Sequence, residues 1–92
     1  MFPKKLDGAK VLYYTGEGDF GVVTNTNETD AERICYLAIC KYENDNGYYL
    51  FLCDENYNVV TDDLLDSITQ CFEIASFKKD DIKWYDARRT EL

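Results

Sequence analysis

Short apolar runs, separated by polar turn-forming residues, make up most of the chain. The first two runs, Ala9–Thr15 and residues 20–26, flank a glycine-rich segment and predict a β-hairpin. Residues 25–32 are almost entirely polar and predict a loop. The longest run, residues 34–42, carries apolar side chains on both faces, which predicts a central strand of the sheet.

A second hairpin is predicted directly after this central strand. Asn46-Gly47 fits a two-residue type I′ turn, in which both turn residues take positive φ. The run Tyr48–Cys53 then returns as the partner strand. Counting from the turn places Cys40 opposite Cys53, so the two thiols are expected to face each other in contact.

Helical spacing of apolar residues follows a short predicted strand at residues 59–61. The apolar positions at intervals of three and four are Leu64, Leu65, Ile68, Cys71, Phe72 and Ala75. Asp62 or Asp63 is expected to cap the N-terminus of this helix, where the helix dipole favours a negative charge. The pattern therefore predicts one amphipathic helix over about residues 63–79.

These elements together predict an α+β fold. The expected architecture is a mostly antiparallel, twisted β-sheet of four to six strands in a meander, with the helix packed on one face. Residues 82–85 fit either a last edge strand or a packed tail. A chain of 92 residues suits one domain, 1–92, with one core.

Charge is distributed very unevenly along the chain. Residues 43–76 carry eight acidic and no basic side chains, whereas the remainder carries ten of each, so this stretch accounts for the net charge of −8. Such a surface favours a positively charged partner, and a charge excess that only promotes solubility is the alternative. Because no apolar run suits a membrane span or a signal peptide, we expect a cytoplasmic protein without a membrane partner.

Few residues of the chain suit catalysis or metal binding. There is no histidine to act as a base, and Ser67 and Ser76 both fall on the predicted helix. The motif Gly16-x-Gly18-x-x-Gly21 matches the dinucleotide fingerprint in spacing, but the residues after it continue as a strand instead of opening a helix. The four cysteines lie at apolar positions without zinc-type spacing, which predicts buried free thiols. We expect no enzymatic activity, no catalytic residues, no metal and no cofactor.

The predicted meander gathers acidic side chains at both ends of the sheet. Five carboxylates are expected to converge at the end that carries the second hairpin turn, and a smaller patch is expected at the opposite rim. The predicted partner-binding residues are Glu43, Asp45, Asp62, Asp63 and Asp66 in the first patch, and Asp54, Glu55 and Tyr57 in the second. Clustered carboxylates can replace nucleic-acid phosphates in a basic cleft, and neighbouring aromatic rings can anchor the contact.

The segment from Tyr36 to Phe77 has the form YLAICKY…NGYYLFLCDENYNVVTD followed by an amphipathic helix. It resembles small acidic bacterial and phage proteins in size, charge and strand–strand–helix layout. Those with assigned roles include immunity proteins that neutralise toxins and anti-CRISPR proteins that block nucleases. The resemblance implies an inhibitor and assigns no individual residue.

The leading hypothesis is a non-catalytic inhibitor that occludes the basic site of a nucleic-acid-handling protein, either a toxin or a CRISPR nuclease. The protein itself is not expected to bind nucleic acid directly. One alternative is a structural or adaptor module that homodimerises through an aromatic sheet surface, and another is an unrecognised small enzyme. Ionic strength separates the first two, because a complex steered by charge weakens with salt whereas an apolar dimer does not.

Overall fold

The computed structural model describes residues 2–24 and 31–89. In chain order the elements are β1 (Lys5–Leu6), β2 (Ala9–Thr15), β3 (Val22–Thr24), β4 (Ala31–Arg33), β5 (Tyr36–Lys41), β6 (Tyr48–Cys53), β7 (Val59–Leu65), α1 (Ile68–Ser76) and β8 (Trp84–Asp86). Strands β1, β2, β5, β6 and β7 lie side by side in that order, and β8 pairs with β2. Every pairing is antiparallel. The predicted α+β fold, with a mostly antiparallel sheet and one helix, is confirmed.

The two middle strands of this sheet form the centre of the core. Residues 37–40 of β5 and residues 50–53 of β6 are all buried, as expected for strands covered on both faces. One face, here called the helix face, packs against α1. Its buried residues are Leu37, Ile39, Leu50 and Leu52, together with Cys71 and Ala75 of α1.

Tyrosine side chains cover much of the opposite face, here called the tyrosine face. Its buried residues include Ala38, Cys40, Phe51 and Cys53. The half-buried rings packed against them belong to Phe2, Tyr14, Tyr36, Tyr42, Tyr49 and Tyr57. This aromatic layer takes the place that a second helix would fill in a three-layer fold.

The first hairpin differs from the prediction. None of the described residues of the predicted partner run, 20–24, pairs with β2; instead β1 and β2 form a tight hairpin around Asp7-Gly8. Asp7 has φ 48° and Gly8 has φ 83°, the positive values that a type I′ turn requires. The described part of that run contains β3, Val22–Thr24, which pairs with β4 in a separate two-stranded sheet. Most of the predicted polar loop, at residues 25–30, lies outside the described residues.

The register of β5 and β6 also differs from the prediction. Cys40 pairs with Tyr49, and Cys53 pairs with Tyr36, so the hairpin is offset by four residues and closes with a six-residue loop. An even offset keeps both cysteines on the tyrosine face but separates them by about 13 Å along the strand. The expected contact between the two thiols is therefore wrong. All four cysteines are free and buried, as predicted.

Helix α1 begins five residues later than predicted. Ser67 is its N-cap and accepts a hydrogen bond from the backbone N–H of Gln70. Asp62 and Asp63 do not cap the helix, because both lie within β7, which extends four residues beyond the predicted strand. No helix among the described residues is long and apolar enough to cross a bilayer. Residues 84–86 form an edge strand, so of the two alternatives for the C-terminal segment, an edge strand or a packed tail, the strand is correct.

Candidate functional site: an acidic patch on the tyrosine face

The loop between β5 and β6 holds a well-oriented carboxylate at the edge of the tyrosine face. Asp45 accepts a hydrogen bond from the backbone N–H of Gly47 at 3.1 Å and another from the Tyr49 hydroxyl at 3.1 Å. The bond from Gly47 is the main reason that the pKa of Asp45 is lowered, and the bond from Tyr49 adds to it. Asp45 therefore stays ionised in a fixed position.

A second carboxylate reaches the same face from β7. Asp62 is the register partner of Phe51, whose ring is buried on the tyrosine face, so Asp62 lies on that face too. Leu64, two residues further along β7, is the partner of Tyr49 and shares the same orientation. Its side chain is 58% exposed, which is unusual for a leucine in a strand.

Two tyrosines connect these carboxylates to the turn between β1 and β2. The rings of Tyr42 and Tyr49 meet edge to face with their centroids 5.2 Å apart. The Tyr42 hydroxyl donates a hydrogen bond to the backbone oxygen of Asp7 at 3.0 Å. Desolvation raises the pKa of both phenols, and the negative charges of Asp45 and Asp62 raise it further.

We call this surface the acidic patch, and it consists of Asp7, Tyr42, Asp45, Tyr49, Asp62 and Leu64. Within residues 2–24 and 31–89, no lysine or arginine forms an ion pair with any of its three carboxylates. Lys41 lies close to the patch, and its ammonium group donates to the backbone oxygens of Asp45 and Tyr42. The patch therefore presents three carboxylates, with one lysine nearby, beside exposed apolar and aromatic surface.

Of the other three acidic residues predicted to join Asp45 and Asp62, Asp63 lies on the opposite face of the sheet. Asp63 is the register partner of Leu50 on the helix face, where its charge acts on the buried Cys71 thiol. Asp66 follows β7, and its backbone N–H donates to the side chain of Gln70. Glu43 is exposed in the six-residue loop. Neighbouring residues of a strand face opposite sides, so Asp62 and Asp63 cannot belong to one surface of the sheet.

The predicted second patch is divided between a turn and the aromatic layer. Asp54 accepts hydrogen bonds from the backbone N–H groups of Asn56 and Asn58, each at 2.9 Å. Desolvation acts to raise the pKa of Asp54, but these hydrogen bonds outweigh it and the pKa is lowered. The ring of Tyr57 packs on Tyr36 at 4.6 Å between centroids. Asp54 thus stabilises the turn, Tyr57 belongs to the aromatic layer, and Glu55 is simply exposed.

Sequence reasoning missed four members of the patch, namely Asp7, Tyr42, Tyr49 and Leu64. The signal for the tyrosines was present, because alternation along β5 and β6 places Tyr42 and Tyr49 on the same face as Cys40 and Phe51. Asp7 could have been found from Asp7-Gly8, which is a standard type I′ pair. Leu64 was assigned to the helix, which concealed its position on β7.

The chemical groups of the patch are three carboxylates, two phenols and one leucine side chain. The patch contains no nucleophile–base pair, and the chain has no histidine. Among the described residues, no group of three or more cysteine, aspartate or glutamate side chains is arranged to hold a metal ion. What the patch offers a ligand is fixed negative charge next to phenol rings and an exposed leucine.

Comparisons of the chain with protein-family models, with curated proteins and with solved structures find no match.

Proposed function

We propose that this protein is a non-catalytic inhibitor that occludes the basic nucleic-acid site of a target protein with its acidic patch. The observation that carries the proposal is the position of Asp45 and Asp62 beside Tyr42 and Tyr49 on one sheet face. A cleft of lysine and arginine that holds phosphates would accept carboxylates in the same places. The target class is a toxin or a CRISPR nuclease, and the setting is the cytoplasm, where the four thiols stay reduced.

The composition of the patch supports a protein partner. Aromatic side chains that lose their solvent on binding carry much of the energy of protein interfaces, and Tyr42 and Tyr49 are half-buried rings of this kind. Leu64 adds exposed apolar area next to them. Charge complementarity would mainly accelerate association and select basic partners, while the apolar contacts would slow dissociation.

The rigidity of the patch also supports an inhibitor. Asp45 is held by two hydrogen bonds, and Asp62 lies on a strand that is paired with β6 along its length. A preorganised surface loses little conformational freedom on binding, so more of the contact energy appears as affinity.

Homodimerisation through the aromatic face is the rival proposal, and one observation disfavours it. Much of the aromatic layer is already occupied from within the chain, because Phe2 packs on Tyr14, Tyr36 and Tyr57 with centroid distances of 4.6, 5.7 and 5.2 Å. A second copy would also bring a second acidic patch towards the first. The inhibitor is the better supported role.

The test is a cleavage assay of purified nuclease toxins and CRISPR nucleases, with and without this protein. We expect stoichiometric inhibition of the true target, relief of inhibition by excess nucleic-acid substrate, and weaker inhibition at high salt because surface charges are screened. Inhibition that excess substrate does not relieve would contradict occlusion of the nucleic-acid site. Sedimentation of the free protein checks the rival role, since a salt-resistant dimer would support it.

A further inference from the structure

Strand β7 forms one edge of the main sheet and is open along its outer side. It is seven residues long, and among the residues that the structure describes it pairs with β6 alone. The opposite edge is formed by β1 and β8, which are only two and three residues long. Very short edge strands are one way in which proteins limit pairing with other chains. Of the two edges, β7 is therefore the one that is long enough to receive an added strand.

Helix α1 packs over the centre of the sheet, where its buried residues Cys71 and Ala75 join the buried leucines and isoleucine of β5 and β6. On β7, the three consecutive residues Asp62, Asp63 and Leu64 are exposed, so this part of the strand is open on both faces as well as at its edge. An antiparallel edge strand turns the N–H and C=O groups of alternate residues outwards. These groups are a template for hydrogen bonding to one further extended chain.

The charge of β7 disfavours a second copy of this chain as the added strand. Asp62 is the central residue of β7, so in full-length antiparallel pairing of two copies it would lie opposite the same residue of the second copy. Like charges directly opposite each other in a sheet are destabilising. No lysine or arginine occurs within residues 43–76. A strand that carries a basic residue opposite Asp62 would instead gain from the same position.

The exposed side chains of β7 define what the added strand must carry. Asp62 and Leu64 both lie on the tyrosine face, so the residues opposite them on an added strand are also two positions apart and on that face. A basic residue opposite Asp62 and an apolar residue opposite Leu64 would each stabilise the pairing. In antiparallel addition, the order along the added strand is an apolar residue, any residue and a basic residue. The middle residue lies on the helix face opposite Asp63 and needs no charge.

We propose that β7 binds an extended basic segment of the partner protein, which adds to the sheet as a further antiparallel strand. Main-chain hydrogen bonds to β7 would supply the affinity, and the side chains opposite Asp62 and Leu64 would supply the selectivity. This inference rests on the proposed function in one respect, because it takes the inhibited protein as the source of the segment. It adds the mode of binding, with the segment lying along β7 at the border of the acidic patch.

The test uses two synthetic peptides of about seven residues, capped at both ends and titrated into isotope-labelled protein at an ionic strength of about 0.15 M. Both consist of threonine with leucine at the second position, and the fourth position is lysine in one and glutamate in the other. We expect the lysine peptide to saturate the protein with a dissociation constant below about 5 mM and to shift NMR amide signals mainly in residues 59–65. The glutamate peptide should bind at least about threefold more weakly. Absence of saturation, or equal binding of the two peptides, would overturn the proposal.

Backbone methylation of the lysine peptide distinguishes strand addition from attraction by charge alone. One version is N-methylated at the second and fourth positions, and the other at the third and fifth. The N–H groups of alternate residues face β7 in an added strand, so one version should lose binding and the other should retain it. Equal effects of the two methylation patterns would overturn the proposal. Signals of β7 that shift with protein concentration alone would show that a second copy occupies the edge, which would also overturn it.

Matched variants of β7 test the charge pair. Asp62→Asn should weaken binding of the lysine peptide about two- to fivefold, because the charge opposite the lysine is lost. Asp63→Asn removes the same charge from the helix face and should change binding by less than about twofold. Both side chains are exposed, so the unfolding temperatures of the two variants should stay close to that of the parent protein. A larger effect of Asp63→Asn would overturn the proposed register.

Strand addition and inhibition are measured separately, so the two proposals can fail separately. If the lysine peptide binds β7 but no nuclease or toxin is inhibited, the edge site is supported and the inhibitor role is wrong. If a target is inhibited and the amide signals of β7 do not change in its complex, the acidic patch acts without strand addition and the inference from β7 is wrong.

Discussion

Gly47 provides a stringent test of how the loop before β6 is built. The residue is not in the left-handed region, so its role is not the positive φ of a type I′ turn. A Cβ atom at this position would lie 2.5 Å from Cδ1 of Leu64 and 3.1 Å from the backbone oxygen of Leu65. Glycine is therefore required because β7 approaches closely.

The expected cost of Gly47→Ala follows from these two contacts. Overpacking of this kind costs about 1–3 kcal/mol, and the reduced freedom of the unfolded chain offsets about 0.4–1 kcal/mol. Both neighbours contribute to this cost, because the Leu64 side chain must leave its present position and the backbone of Leu65 can move only slightly. We expect a net loss of about 1–2 kcal/mol, or roughly 4–15 °C in unfolding temperature for a domain of this size.

The assay is thermal and denaturant unfolding of four variants beside the parent protein: Gly47→Ala, Gly16→Ala, Leu64→Ala and the double variant of Gly47→Ala with Leu64→Ala. Gly16→Ala is the control, because its Cβ would meet only the Tyr85 ring at 3.9 Å and its φ is ordinary, so it should be neutral or slightly stabilising. In a Leu64→Ala background, the cost of Gly47→Ala should fall, since the shorter side chain removes the closest contact. A cost that is independent of Leu64, or no cost at all, would refute the reasoning.

Two further predictions concern the helix and the thiols. Ser67→Ala should destabilise the protein by about 1 kcal/mol through loss of the N-cap, whereas Asp63→Ala should not. If denaturant unfolding shows the larger loss of stability for Asp63→Ala, the N-cap is Asp63 and not Ser67. Burial raises the pKa of the thiols of Cys71 and Cys53, from 9.0 to about 11 and about 12 respectively. Because the unfolded chain loses these protons first, unfolding free energy should fall as pH rises from about 9 towards 11–12, and a flat profile over that window would contradict burial of the thiols.

The central strands could be predicted from the sequence because their apolar residues indicate burial on both faces. Residues 34–42 are apolar on both faces, and only a strand covered on both sides accommodates such a run. The same holds for the stripe of Cys71 and Ala75, which are buried against the sheet as the helical spacing required. Burial was therefore predicted correctly for these elements, although the geometry of the turns was not.

The turns could not be predicted because several local signals compete. Both Asp7-Gly8 and Asn46-Gly47 suit a type I′ turn, but only the first forms one. At the second, the loop is longer because Asp45 binds Gly47 and Tyr49 and thereby fixes a wider connection. Pairing with the neighbouring strands, and not the dipeptide itself, determines the register.

The start of the helix shows how the candidate site was misplaced. Two adjacent aspartates resemble an N-cap, yet charged residues are also typical of edge strands, where they discourage association with other chains. The better signal was Ser67 three residues before Gln70, a capping-box sequence. Because the cap is Ser67 and not Asp63, β7 is longer than predicted, and Asp62 and Asp63 lie on opposite faces of the sheet.

This separation of Asp62 and Asp63 allows the most direct test of the acidic patch. Asp62→Lys and Asp63→Lys make the same change of charge at adjacent exposed positions of one strand, but only Asp62 lies on the tyrosine face. Inhibition constants of the two variants are measured against the target nuclease or toxin, with unfolding temperatures as the check on folding. The account predicts that Asp62→Lys weakens inhibition at least about tenfold and that Asp63→Lys changes it by less than about twofold. Equal losses, or a larger loss for Asp63→Lys, would contradict the assignment of binding to this face.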